Sequence, residues 1–211
     1  KGTYVTSGEM QKTIHDFYGF PQELFEVEYP AKGNPELAKE TAELLAPTSV
    51  IETDSWGLDH GAWSVIKHLY PAANIPVIQM SIDYTQAAQY HFDLAKKLQK
   101  LREKGILIIG SGNVVHNLRM IDWKNINTVG AGWDWAIEAR AKTNEWILDG
   151  NFQNLIHFEK QGTALQNAIP TPDHYLPLIY TLGLKEKSDN ISLFNDELIG
   201  GSLSMTSVFV G

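Results

Sequence analysis

Residues 106–117 read ILIIG followed by SGNVVHN, and this stretch decides the predicted fold. A short apolar run bounded by glycine predicts a buried strand. Small residues and one imidazole, that of His116, follow the run directly. Open α/β folds present reactive side chains in this way at the carboxyl edge of a sheet. His116 is therefore the first candidate functional residue. The alternative is a histidine held under a loop by backbone groups.

The segments before this stretch predict the rest of a parallel unit. Apolar positions at steps of four and three predict a helix with one buried face, formed by Ala87, His91, Leu94, Leu98 and Leu101. Thr85 can cap this helix and Gly105 can end it. Residues 76–82 predict a strand before it. A strand, helix, strand succession implies a right-handed crossover and parallel pairing. His91 lies on the apolar face and is predicted to be a core histidine.

Similar patterns predict the remaining elements. Asn34 and Pro35 predict the start of one helix. Further helices are predicted at residues 61–69, 131–148, 151–159 and 175–182. Strands are predicted at residues 49–51, 191–194 and 203–210, and residues 163–172 are predicted to be a loop. The predicted fold is therefore α/β, a single domain over residues 1–211 with a central, largely parallel sheet and helices on both faces.

Composition excludes several classes of partner and site. The net charge of −8 argues against nucleic acid, which is bound by clustered Lys and Arg. No apolar run approaches the roughly 20 residues of a membrane helix. The chain has no Cys, which leaves His, Asp and Glu as metal ligands and agrees with a reducing cytoplasm. The sequence makes no prediction of oligomeric state.

Two further histidines lie in turns that precede predicted helices. His60 is part of WGLDHG at residues 56–61, and His174 is part of TPDHYLP at residues 171–177. The positive end of a helix dipole disfavours imidazolium, which keeps His60 available as a proton acceptor. Packing or capping is the alternative role for His60. Asp173 can cap a helix or accept a ring N–H from His174.

Several longer motifs carry a resemblance to a known family. They are TIHDFYGFP at residues 13–21, IPVIQMSID at residues 75–83 and GSLSM at residues 201–205, together with the three histidine segments. The chain resembles the class III extradiol ring-cleavage dioxygenases, specifically the 4,5-DOPA extradiol subgroup of the LigB-like superfamily, from about Thr13 to the C-terminus. The resemblance implies cleavage of a catechol, such as DOPA, beside its diol with O₂ and Fe(II), giving a seco-DOPA type of semialdehyde. Zinc is a possible occupant in purified protein.

The same resemblance implies roles for individual residues. His60 and His116 correspond to catalytic histidines, and His174 corresponds to a metal ligand. His116 is also predicted to lie within reach of the metal. His15 and Phe17 belong to an aromatic loop that could enclose a planar catechol, although an ordinary surface loop is the alternative. Tyr175 is the third predicted substrate-binding residue.

One departure from the family pattern leaves other functions open. The family carries two metal-binding histidines in N-terminal motifs that do not occur here, so the chain is expected to lack the N-terminal part of the catalytic domain. A zinc-dependent hydrolase could use the same histidines to activate water. A non-catalytic binding protein, like the Memo proteins of the same superfamily, is the other alternative.

Overall fold

Parallel pairing is present between the first two strands of the chain. In the computed structural model, which describes residues 1–211, strand β1 (Thr3–Thr6) runs parallel to strand β2 (Val50–Thr53), with Thr3 opposite Val50. The chain forms both helices and strands, and the predicted α/β class is confirmed. The residues form two compact units, Lys1–Asp83 and Tyr84–Gly211. The single domain predicted from the sequence stays a prediction, and each unit is described by itself.

The first unit contains three helices besides its parallel strand pair. They are α1 (Gln22–Phe25), α2 (Pro35–Leu44) and α3 (His60–Leu69). The predicted cap of α2 is confirmed, because the side chain of Asn34 accepts a hydrogen bond from the backbone N–H of Leu37 at 2.9 Å. Apolar residues of the first unit form a buried cluster of Tyr29, Ala31, Leu58, Trp63 and Ile66. Burial of this cluster away from water holds α3 in place.

The predicted strand at residues 76–82 contacts β1 in the opposite direction. Val5 and Met80 pair in antiparallel fashion, with hydrogen bonds from Thr6 N to Gln79 O and from Ser81 N to Tyr4 O, both of 2.9 Å. The pairing is too short to form a strand. Parallel pairing was predicted between residues 76–82 and residues 106–110, and this prediction was wrong, because neither segment forms a strand.

The second unit contains five helices and two antiparallel strand pairs. The helices are α4 (Ala88–Arg102), α5 (Asp134–Leu148), α6 (Phe152–Ile156), α7 (Thr163–Ala168) and α8 (Leu176–Gly183). Strand β3 (Ile191–Phe194) pairs with β6 (Ser207–Val210), and β4 (Leu198–Ile199) pairs with β5 (Leu203–Ser204). Short 3₁₀ turns lie at residues 118–120, 123–125 and 158–160. None of the helices combines the length and apolar character that crossing a bilayer requires.

Helices α4 and α8 form the main packing contact of this unit. The buried face of α4 includes Leu94, Leu98 and Leu101, as the sequence predicted. His91 is fully buried on the same face, and its Nδ1 lies 3.1 Å from the hydroxyl of Tyr180 on α8. The prediction that His91 is a core histidine is confirmed.

The predicted strand at residues 106–110 does not form. No other strand pairs with it, and the side chains of Leu107 and Ile109 are exposed. The segment lies against the start of α8 instead. The approach is so close that a Cβ on Gly110 would be only 2.5 Å from the carbonyl oxygen of Pro177, which is why glycine is needed here. Apolar content and flanking glycines predicted an extended backbone but could not supply a partner strand.

Two other local predictions were corrected by the structure. Residues 163–168, predicted to be loop, form α7, whose buried side chains include Leu165. The predicted strand at residues 203–210 is divided between β5 and β6. Pro177 does not kink α8, because it occupies the first turn, where its missing N–H has no intrahelical partner.

Candidate active site

The structure brings His116 and His174 together in the second unit. Their rings are stacked, with centroids 3.7 Å apart and planes inclined by 10°. Both side chains are partly exposed. The sequence named these residues from two separate segments, and the fold makes them neighbours. A pair of adjacent, reachable imidazoles is a suitable arrangement for proton transfer or for metal binding.

The backbone around this pair is fixed by hydrogen bonds within the unit. Asn113 N–H donates to the carbonyl oxygen of His174 at 2.8 Å, and His116 N–H donates to that of Ala168 at 2.9 Å. Gly112 lies so close to His174 that a Cβ would be 2.2 Å from its carbonyl oxygen. Only glycine therefore allows the 111–117 loop to approach the His174 segment.

Asparagine side chains extend this support to neighbouring segments. The Asn113 amide donates to the carbonyl oxygen of Ser204 at 2.8 Å, and the Asn117 amide donates to that of Asn167 at 2.7 Å. Ser202 donates its hydroxyl to the carbonyl oxygen of Asn117 at 2.8 Å. The sequence analysis did not identify these supporting residues. For Asn113 and Asn117, the available signal was their proximity to His116 in the SGNVVHN motif, and Ser202 belongs to the GSLSM motif.

Burial and the neighbouring His174 set the charge state of His116. Burial, followed by the charge of nearby His174, lowers the pKa of His116 to about 4. Nδ1 of His174 lies 2.7 Å from Oδ2 of Asp173, although the contact lacks the direction of a hydrogen bond. Burial acts to raise the pKa of Asp173, but hydrogen bonding with Thr171 and the charge of His174 lower it overall. His116 is therefore neutral at pH 7.

Tyr175 does not take the position predicted for a substrate contact. Its ring is almost fully buried, and its hydroxyl donates a hydrogen bond of 3.0 Å to the carbonyl oxygen of Leu155. Burial raises the pKa of this hydroxyl far above its usual value. The residue anchors the start of α8 to α6. These contacts give no support to a substrate-binding role.

His60 forms a second candidate centre, in the first unit. It is the first residue of α3, and Asp59 caps that helix by accepting a hydrogen bond from Ala62 N–H at 2.9 Å. Nδ1 of His60 lies 2.8 Å from Oδ1 of Asp16. Burial acts to raise the pKa of Asp16, but hydrogen bonds from His60 lower it overall. The sequence analysis missed Asp16, although it follows His15 within the TIHDFYGFP motif.

An aromatic cluster surrounds His15 in the same unit. Nε2 of His15 lies 2.9 Å from the carbonyl oxygen of Val27. The His15 ring contacts Phe17 at a centroid distance of 6.0 Å and Trp63 at 5.9 Å. Phe17 also lies edge-on to His60, with centroids 5.7 Å apart. The predicted pair His15 and Phe17 thus lies beside the predicted base His60.

A separate cavity in the first unit offers no comparable chemistry. It has a volume of about 290 Å³ and is lined by Tyr4, Thr53, Ser55, Trp56 and Ser81. Three of its hydroxyls are already paired: Ser81 Oγ accepts from Tyr4 N–H, and the hydroxyls of Thr53 and Ser55 are 2.7 Å apart. The lining contains neither an imidazole nor a carboxylate. We therefore place the candidate chemistry at the histidines.

The histidine pair does not by itself make a complete metal site. Imidazole suits Fe(II) and Zn(II) alike, so His116 and His174 have appropriate donor chemistry. However, nowhere among residues 1–211 do three His, Asp or Glu side chains form a group that could hold an ion. Nearly parallel rings also do not direct their nitrogens at one point. The chain therefore offers a partial ligand set.

Comparison with known proteins identifies the family. Residues 2–205 match the family model described as the catalytic LigB subunit of aromatic ring-opening dioxygenase. The chain belongs to the LigB family. The predicted class of extradiol ring-cleaving dioxygenase is confirmed, and neither alternative function is favoured. Members of this family are metal-dependent.

Individual relatives agree with this placement. The chain is 42% identical over 214 residues to a 4,5-DOPA dioxygenase extradiol of Escherichia coli K12, covering 100% of this chain and 78% of that protein. It is 32% identical over 202 residues to a Beta vulgaris protein of the same name, covering 94% and 74%. A crystal structure of an Escherichia coli K12 protein superimposes with a TM-score of 0.81 at 37% identity, covering 99% and 80% of the two chains.

Proposed function

We propose that this LigB-family protein opens the ring of a catechol such as DOPA, beside the diol, to a seco-DOPA type of semialdehyde. Both atoms of O₂ enter the product, and the reaction needs no other oxidant or reductant. The observation that carries the proposal is the stacked pair of His116 and His174 in the second unit. The names of the relatives from Escherichia coli and Beta vulgaris support DOPA as the first catechol to test.

The proposed catalytic residues are His60 and His116. His116, with a pKa of about 4, is neutral at pH 7 and can accept a proton from a catechol hydroxyl at its free ring nitrogen. His60 is the second proposed acid–base residue, oriented by Asp16. The expected contribution of each proton transfer is about two to four orders of magnitude in rate.

The proposed substrate contacts are His15 and Phe17. A planar catechol ring can stack against, or lie edge-on to, the Phe17 side chain, which is partly exposed beside His60. His15 is held by Val27 and Trp63, so it supports this wall at a defined position. Such contacts select aromatic rings by shape.

Fe(II) is the proposed native metal, and zinc is a possible occupant of the same site in purified protein. His174 is the proposed ligand of this chain. His116, whose ring stacks on that of His174, is the candidate second ligand and would have to turn its ring to share the ion. When bound, such an ion supplies a template that brings a catechol and O₂ together. The residues of this chain then supply orientation and proton transfer.

Oxygen consumption provides the direct test. Protein prepared without oxygen and supplied with Fe(II) is mixed with DOPA or another catechol in air-saturated buffer. Equal consumption of O₂ and catechol, with a product that absorbs as a ring-opened semialdehyde, is the expected result. Turnover of an ester or amide that does not require O₂ would favour the hydrolase instead. Absence of turnover with every catechol would refute the proposed function.

A further inference from the structure

One carboxylate oxygen binds His60 at two points. Oδ1 of Asp16 accepts a hydrogen bond from the backbone N–H of His60 at 3.1 Å and lies 2.8 Å from its ring Nδ1. The backbone N–H has a fixed place in the first turn of α3. A single acceptor shared by the backbone and the ring therefore restricts rotation of the imidazole.

We propose that Asp16 is a positioning residue that fixes the orientation and tautomer of His60, an inference that rests on the proposed role of His60 as a base. A carboxylate only accepts hydrogen bonds, so the ring nitrogen beside it carries the hydrogen. Nδ1–H then donates to Asp16. Nε2 keeps its lone pair and is the nitrogen that accepts the substrate proton.

Phe17 restricts the same ring from another direction. Its ring lies at 81° to the His60 imidazole, with centroids 5.7 Å apart. Phe17 is itself held by Phe25 at a centroid distance of 4.8 Å. The imidazole is thus confined by an ionic hydrogen bond and by an aromatic edge, while about half of its side chain stays exposed to solvent. Exposure leaves Nε2 accessible to a substrate hydroxyl.

The neighbouring carboxylate of Asp59 does not share this positioning role. Its oxygens accept hydrogen bonds from Ala62 N–H and from the Gln79 amide. Asp16 is therefore the acid that orients the His60 ring.

The tautomer can be measured without turnover. Long-range proton–nitrogen NMR of the protein labelled with ¹⁵N-histidine distinguishes a protonated ring nitrogen from one with a free lone pair, and His60→Gln assigns the signals. We expect hydrogen on Nδ1 in the wild type and a shift towards Nε2–H in Asp16→Ala. Hydrogen on Nε2 in the wild type, or no change in Asp16→Ala, would overturn the proposal.

Kinetics then test the consequence for catalysis. Asp16→Ala is expected to lower kcat about tenfold to a hundredfold with little change in KM, because the supporting contact acts on the base and not on substrate binding. Asp16→Glu, which retains a carboxylate, should recover part of the loss. Glu23→Gln, an exposed acid on α1, is the matched control and should leave kcat unchanged.

The two proposals fail in different ways. An Asp16→Ala protein as active as wild type, beside an inactive His60→Gln protein, would refute positioning by Asp16 and leave the proposed function standing. A wild-type protein that consumes no O₂ with any catechol would refute the proposed function. An active His60→Gln protein would show that His60 is not the base, and would refute the proposal that Asp16 positions it for catalysis.

Discussion

The proposed chemistry of this protein depends on single histidines whose surroundings differ. His116 is kept neutral by partial burial and by His174, whereas His60 is the start of a helix and contacts Asp16. Two imidazoles with different surroundings can therefore perform different steps.

Replacement of His116 tests its role directly. His116→Ala is expected to lower kcat for a catechol by about two to four orders of magnitude, because it removes an acid–base group. Oxygen uptake measures the change. His157→Ala, at an exposed histidine of the same unit, is the control and should keep wild-type activity.

Measurement of metal content, in His116→Ala and in His174→Ala, separates the two roles proposed for His116. His174→Ala is expected to lose bound metal, measured by elemental analysis. His116→Ala should retain metal if its role is proton transfer, and should lose it if the residue is a ligand. Full activity of His116→Ala would contradict both roles.

Replacement of Tyr175 tests whether this residue stabilises the fold or contacts the substrate. Tyr175→Phe removes the hydrogen bond to the buried carbonyl of Leu155 and should lower the free energy of unfolding by about 1 to 2 kcal/mol. Urea denaturation measures this change, and KM for the catechol should stay the same. Tyr18→Phe, at a side chain that is 92% exposed, is the control. A raised KM with unchanged stability would restore the predicted substrate contact.

At the scale of elements, helix ends are joined to neighbouring segments by charged groups. Arg102, in the last turn of α4, donates through Nη1 to the carbonyl oxygen of Leu184 and to Oδ2 of Asp189, both at 2.7 Å. The hydrogen bond from Arg102 lowers the pKa of Asp189. This contact ties α4 to the chain that follows α8. Its partial burial distinguishes it from the exposed ion pair of Asp93 and Lys96 on the same helix.

Stability should depend on pH through Asp189. Its lowered pKa means that the stabilising contribution is complete above the unfolded value of about 3.9 and is lost as pH falls through the folded pKa. Asp189→Asn should therefore cost about 1 to 2 kcal/mol at pH 7 and much less near pH 2. Urea denaturation at both pH values measures the difference.

A second acid on α4 provides the control. Asp93 pairs with Lys96 at 2.8 Å, but about half of each side chain is exposed. Asp93→Asn is expected to change the free energy of unfolding by about 0.5 kcal/mol or less, because solvent screens exposed pairs. Equal effects of Asp93→Asn and Asp189→Asn at pH 7 would contradict the role assigned to partial burial.

For the whole molecule, charge limits the class of ligand. A net charge of −8 should repel extended polyanions, whereas a small catechol binds through ring contacts and proton transfer. Titration calorimetry at low salt is expected to show binding of DOPA to the Fe(II)-supplied protein and none of duplex DNA. Salt-dependent DNA binding without a response to any catechol would contradict the proposed substrate class.

Sequence alone determined the α/β class, most helices, the core position of His91 and the residue types available for chemistry. It did so because apolar periodicity, caps and glycine stops act over short stretches of chain. Only the tertiary structure decided that residues 106–110 lack a strand partner, that Tyr175 is buried, and that His116 stacks on His174. Only the tertiary structure also showed that Asp16 contacts the ring of His60. These features depend on contacts between segments far apart in the chain, and local pattern does not encode such distances.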